Sequence, residues 1–94
     1  MPEGGCRLDV WLWRARFFKT RSLAAREVEA GRIRLMRREE TLRVDKPARA
    51  VGPGDELVFA LHGRLTVLRI EAIGERRGPP AEARTLYVML DSDV

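Results

Sequence analysis

The side chains most able to do chemistry in this sequence are its guanidinium groups. The chain carries 18 Lys and Arg against 14 Asp and Glu, and only Lys19 and Lys46 are lysines. A guanidinium is planar, stays charged at any working pH, and pairs with a phosphate through two parallel N–H donors. The cations are also unevenly placed. Residues 1–49 sum to +6 and residues 50–94 to −2. A composition that merely favours arginine would not sort charge by half, so the amino-terminal half is read as a polyanion-binding surface. The candidate contacts are Arg7, Arg14, Arg16, Lys19, Thr20, Arg21, Arg26, Arg32, Arg34 and Lys46. Between Thr20 and Ser22 the free N–H groups at a helix start and the helix dipole both favour a phosphate. Thr20 itself is assigned first to capping that helix. Asp9 would repel phosphate and is read as a structural partner for a nearby arginine. Arg37 and Arg38, beside Glu39 and Glu40, are read as a solvated turn, and Arg76–Arg77 as a solvated loop before a second contact.

Other chemistries find little support. His62 is the lone histidine, at an expected hairpin turn, and Ser22 and Ser92 lack a nucleophile-elbow context. In Gly52-Pro53-Gly54-Asp55 the proline removes an N–H that a phosphate-cradling loop needs. No catalytic residue, metal ligand or cofactor is therefore expected. Cys6 is the single cysteine, so an internal disulfide and a cysteine zinc site are excluded. It is placed in a flexible tail and read as inert. The longest apolar runs, Val58–Leu61 and Tyr87–Leu90, fall far short of the ~20 residues that span a bilayer. With no signal pattern at the amino terminus, a cytoplasmic protein is expected, without a membrane partner.

The elements that must position these groups follow from periodicity. Residues 7–18 predict a helix whose buried arc is Leu8, Trp11, Leu12, Ala15 and Phe18. Val10, Trp13 and Phe17 form a second apolar stripe, assigned to packing rather than to a platform for bases. A break at 19–22 leads to a second helix, Leu23–Ala30, capped by Thr20 or Ser22 and closed by Gly31. From residue 32 the period becomes two: Ile33 and Leu35 inward, Arg32 and Arg34 outward. Leu42–Val44, Glu56–Leu61 and Arg64–Ile73 predict further strands, the last two joined by a His62–Gly63 turn. Ala81–Leu90 mixes a helical start with a strand-like end. One domain of helical hairpin on a small, mainly antiparallel sheet results, an α+β fold of 94 residues.

Several pieces in this order resemble the S4-like RNA-binding domain: Arg7-Leu8-Asp9, Thr20-Arg21, Ala24, Gly31, Lys46-Pro47 and Gly52-Pro53-Gly54-Asp55. Arg7 to Trp13, Ala15 to Arg21 and Arg76 to Ala83 are similar to the ribosome-associated heat-shock protein 15 family. The likeness covers residues 7–90, with 1–6 as a flexible amino terminus, 91–94 as a tail, and a division of the domain near residue 50. It implies the S4-like (alpha-L) fold and RNA binding, meaning large-subunit rRNA and tRNA; a monomer is expected. The task implied is rescue or recycling of large ribosomal subunits that hold a nascent chain on tRNA. A peptidyl-tRNA-stabilising quality-control factor of the same fold is a close alternative. A protein-interaction module whose arginines reflect bias is a distant one. Two departures stand out. The family's Asn-Gly turn after helix two is replaced by Leu35-Met36-Arg37-Arg38 in a stretch a few residues longer than the family pattern. The long basic tail of some relatives does not follow Val94, so no binding from it is expected.

Overall fold

A computed structural model of the chain describes residues 5–90. Chain order is β1 (Cys6–Arg7), α1 (Leu8–Arg14), α2 (Arg21–Glu29), β2 (Ile33–Arg37), β3 (Glu40–Val44), β4 (Ala50–Val51), β5 (Glu56–Leu61), β6 (Arg64–Ile70), α3 (Pro80–Ala83), a 3₁₀ turn (Arg84–Leu86) and β7 (Tyr87–Met89). Five strands form an antiparallel sheet in the order β3-β2-β5-β6-β7, and β1 pairs separately with β4. The α+β, S4-like architecture expected from the sequence is the one observed.

The core lies between the helical pair and one face of the sheet. Leu8, Trp11 and Leu12 of α1 and Ala24 and Val28 of α2 are fully buried against Ile33, Leu35, Leu57, Leu68 and Ile70. Alternation along β2, β5 and β6 sends every second residue to that face. The opposite face keeps Arg34, Met36, Val58, Val67 and Arg69, which pair across strands in register.

Both helices stop with the same device. At the end of α2, Gly31 adopts φ 73°, its N–H donates to the Val28 carbonyl, and that of Arg32 donates to Glu27. At the end of α1, Arg16 takes that role with φ 67°, its N–H donating to Trp13 and that of Phe17 to Leu12. These paired bonds satisfy carbonyls that a helix end leaves free. The first helix is therefore shorter than the 7–18 expected. Arg16 reverses the chain and delivers Phe17 to an aromatic cluster, 4.8 Å from Tyr87 and 5.4 Å from Phe59 between ring centroids. Phe17 thus packs, as the sequence implied, and does not present a stacking platform.

Two further expectations, on Cys6 and on the stretch 37–40, need adjusting. Cys6 belongs to a strand, paired with Val51, because β1 and β4 tie the start of α1 to the chain before β5. Met1 to Gly4 and Asp91 to Val94, read as tails, lie outside the described residues. The stretch 37–40 is not wholly a solvated turn. Arg38 and Glu39 alone form the two-residue connection, with φ 52° and 65°, and β2 and β3 are five residues each. Arg37 instead ends β2 and reaches across to Asp55, with its Nε 2.8 Å from Oδ1 and its Nη2 2.7 Å from Oδ2. The ambiguous segment 81–90 resolves into a short helix, a 3₁₀ turn and an edge strand.

Candidate nucleic-acid interface

The predicted cations divide according to what their side chains touch. Arg7 holds the buried Asp9 carboxylate through two bonds of 3.0 Å, the structural role expected for Asp9. That hydrogen-bonded ion pair raises the Arg7 pKa further. Arg14 donates to the carbonyls of Ile73 (3.3 Å) and Gly74 (2.8 Å), and its buried Nε has no partner among the described residues. Arg16 donates from Nε to the Gly78 carbonyl at 2.6 Å. Arg77 returns the contact, donating to the Trp13 carbonyl (3.1 Å) and, more weakly, to that of Phe18 (3.5 Å). The Trp11 indole N–H completes this set with a 2.9 Å bond to the Ala72 carbonyl. One side of α1 is thus stitched to residues 72–78 by cations that meet backbone carbonyls, not carboxylates.

The remaining candidates are placed differently. Thr20 caps α2, accepting the Leu23 N–H at 3.1 Å, and is the cap in preference to Ser22. Lys19, Arg21 and Arg26 are exposed on α2 and its entry, and Lys46 is exposed after β3. Among the described residues no carboxylate pairs with any of these four. Arg32 pairs with Glu27 at 2.8 Å, and Arg34 donates to the Gly31 carbonyl at 2.9 Å.

The hairpin register brings Arg34 directly opposite Arg43 on the solvent face of the sheet. Like charges placed this way are mildly destabilising in a free protein, by roughly 0.2–1 kcal/mol, and an anion between them relieves the cost. Arg43, Lys46 and Arg49 line a cavity of about 280 Å³ beside them, with Asp45 the one carboxylate along it. Arg43 and Arg49 were not among the residues predicted from sequence. Alternation in Leu42-Arg43-Val44 was the available signal for Arg43, since Leu42 and Val44 face inward. Arg49 lies in a loop whose path periodicity does not encode.

Other groups stand apart from these cations. Burial pushes the Cys6 thiol above its ordinary range, a rise offset in part by Arg14 and aided by Asp9. His62 sits in the exposed β5–β6 turn with φ 53°. No group of three or more His, Cys, Asp or Glu side chains suited to a metal gathers among the described residues, and no helix there is long and apolar enough to cross a membrane.

A helical hairpin with a capped second helix, laid on an antiparallel sheet, defines an S4-type domain, and residues 6–35 match the family described as the S4 domain. The chain is 36% identical over 86 residues to heat shock protein 15 of Escherichia coli strain K12, covering 92% of this chain and 61% of that protein. It is 33% identical over 94 residues to the heat shock protein 15 homolog of Haemophilus influenzae, covering 100% of this chain and 68% of the relative. A solved structure of Vibrio cholerae heat shock protein 15, described as trimeric, superimposes with a TM-score of 0.79 at 35% identity, covering 92% of this chain and 82% of that one. The chain belongs to the heat shock protein 15 family. It spans about three fifths of the length of the Escherichia coli relatives it matches.

Proposed function

We propose that this chain is a non-catalytic, cytoplasmic RNA-binding module of the ribosome, contacting rRNA and tRNA on the large subunit. Its task in this reading is rescue or recycling of subunits stalled with a nascent chain on tRNA. The observation that carries the RNA reading is a group of six exposed cations on α2, β3 and the loops beside them, none with a carboxylate partner among the described residues: Lys19, Arg21, Arg26, Arg43, Lys46 and Arg49; Arg16, Arg38, Arg64 and Arg84 are likewise exposed without one. Arg34, opposite Arg43, adds to them. Ion pairing that would cancel their field is spent elsewhere, on Arg7, Arg32, Arg37, Arg69 and Arg76. Arg14 and Arg16 support the surface by fixing α1, and Thr20 by fixing the start of α2. Contacts of this kind are mainly to backbone, so folded RNA shape is recognised before sequence.

Cosedimentation on sucrose gradients tests the ribosomal part. Enrichment on free large subunits over whole ribosomes is expected, and absence from both would refute it. Arg21→Glu and Arg26→Glu should each weaken RNA binding by ~1–3 kcal/mol while the domain stays folded.

A second point concerns assembly. The sequence implies a monomer, whereas Leu65, Val88, Met89 and Leu90 are exposed at the β6–β7 edge of the sheet. An apolar sheet edge favours association, and the Vibrio cholerae relative was solved as a trimer. Analytical ultracentrifugation over a concentration series separates the two states.

A further inference from the structure

We propose that the groove between α2 and the β5–β6 turn receives one unpaired nucleotide of the bound RNA, with its base inside and its phosphate at the rim. The inference rests on the RNA-binding reading and adds a site at which that reading gains a base-dependent contact. The groove holds about 360 Å³, and its walls include Phe18, Lys19, Leu23, Glu27, Leu61 and His62. That volume falls within the ~300–1,000 Å³ of small-ligand sites.

The chemistry of the walls selects the occupant. Leu23 and Glu27, one helical turn apart on α2, present an apolar and an acidic side chain to the same space. Leu23 is 41% exposed beside the apolar Phe18 and Leu61 of the same groove, so a flat apolar surface placed there covers it. Phe18 is half-buried and backed by Phe59, with ring centroids 6.4 Å apart and planes 33° from parallel. A base laid on the open side of Phe18 makes the stacking contact by which single-stranded nucleic acid is commonly held.

The two charged side chains of the lining differ in sign. Glu27 accepts Arg32 on Oε1 at 2.8 Å, which leaves Oε2 to accept an amino or imino N–H from a base edge. Lys19 carries an ammonium group without a carboxylate partner among the described residues. A carboxylate repels phosphate and an ammonium attracts it, so the nucleotide enters base toward Glu27 and phosphate toward Lys19. An apolar side chain from a protein partner would satisfy Leu23 and Phe18 but neither charged group.

The test compares an eight-residue oligoadenylate RNA with a chain of equal length that lacks its bases, using the full protein. The wild type should bind the oligoadenylate about tenfold more tightly than the abasic chain, within the range one stacked base supplies. Leu23→Trp, which fills the groove from an exposed position, should abolish that preference and leave the dependence on salt unchanged. On the wild type alone, adenosine monophosphate should shift the methyl resonances of Leu23 and Leu61, and ribose 5-phosphate should not. Equal affinity for the two chains, with a normal salt dependence, would overturn the groove and spare the RNA reading. Loss of salt-dependent binding to every RNA would overturn the RNA reading itself.

Discussion

Helix α1 and helix α2, each taken with its flanking residues, carry similar numbers of cations and use them in opposite ways. At the end of α1, Arg14 and Arg16 donate to the carbonyls of residues 73, 74 and 78, and Arg77 donates back to the helix end. On α2 and its entry, Lys19, Arg21 and Arg26 stay exposed and without carboxylate partners among the described residues. The difference shows that an arginine-rich segment is not a binding surface by composition. A guanidinium that closes a gap between a helix end and a loop keeps its charge, but part of its donor set is committed to backbone carbonyls. A guanidinium on an exposed helix flank keeps both.

That contrast breaks most visibly at Trp11. Trp11→Ala removes a fully buried side chain together with its bond to Ala72 and should destabilise the domain by about 3–5 kcal/mol in urea unfolding. Arg14→Ala should cost about 1.5–3 kcal/mol, as expected for charge-assisted bonds to two carbonyls, with RNA affinity of the folded fraction nearly unchanged. A large loss of affinity with intact stability would move Arg14 to the other side of the comparison. The Arg38–Glu39 turn sharpens the contrast in the opposite direction. Replacing the pair with Asn-Gly relieves two non-glycine residues with positive φ and should stabilise by about 1 kcal/mol without changing RNA binding. The smallest effect is at Cys6. Since burial raises its pKa, alkylation should be slow at neutral pH and accelerate only at a pH above that needed by a free thiol.

How far these roles were readable in the sequence depends on the kind of signal involved. Period-two alternation placed Ile33 and Leu35 in the core and Arg34 on the surface, and turn chemistry placed the His62–Gly63 hairpin and the Gly31 helix stop. These are local properties. The early end of α1 was not legible, because a left-handed Arg16 is sustained by tertiary partners: Phe17 in the aromatic cluster and the Gly78 carbonyl on Arg16 itself. The Arg37–Asp55 pair spans 18 residues, and the contacts of Arg14 span about 60, distances over which spacing carries no information. In the candidate site, charge identified which side chains matter as a group. Only the tertiary structure separated those that hold the fold from those left for a partner, and added Arg43 and Arg49 through strand register and a shared cavity.

The free cations are the centre of the account, and their number sets a measurable slope. With Lys19, Arg21, Arg26, Arg43, Lys46 and Arg49 on phosphates, log K for single-stranded or irregular RNA should fall against log salt with a slope of about −4. Filter-binding titrations at several salt concentrations measure it directly, and the double variant Arg21→Glu, Arg26→Glu should flatten it. A steep slope that flattens in the variant is the predicted result. A slope near zero, or a steep one indifferent to both reversals, contradicts the account.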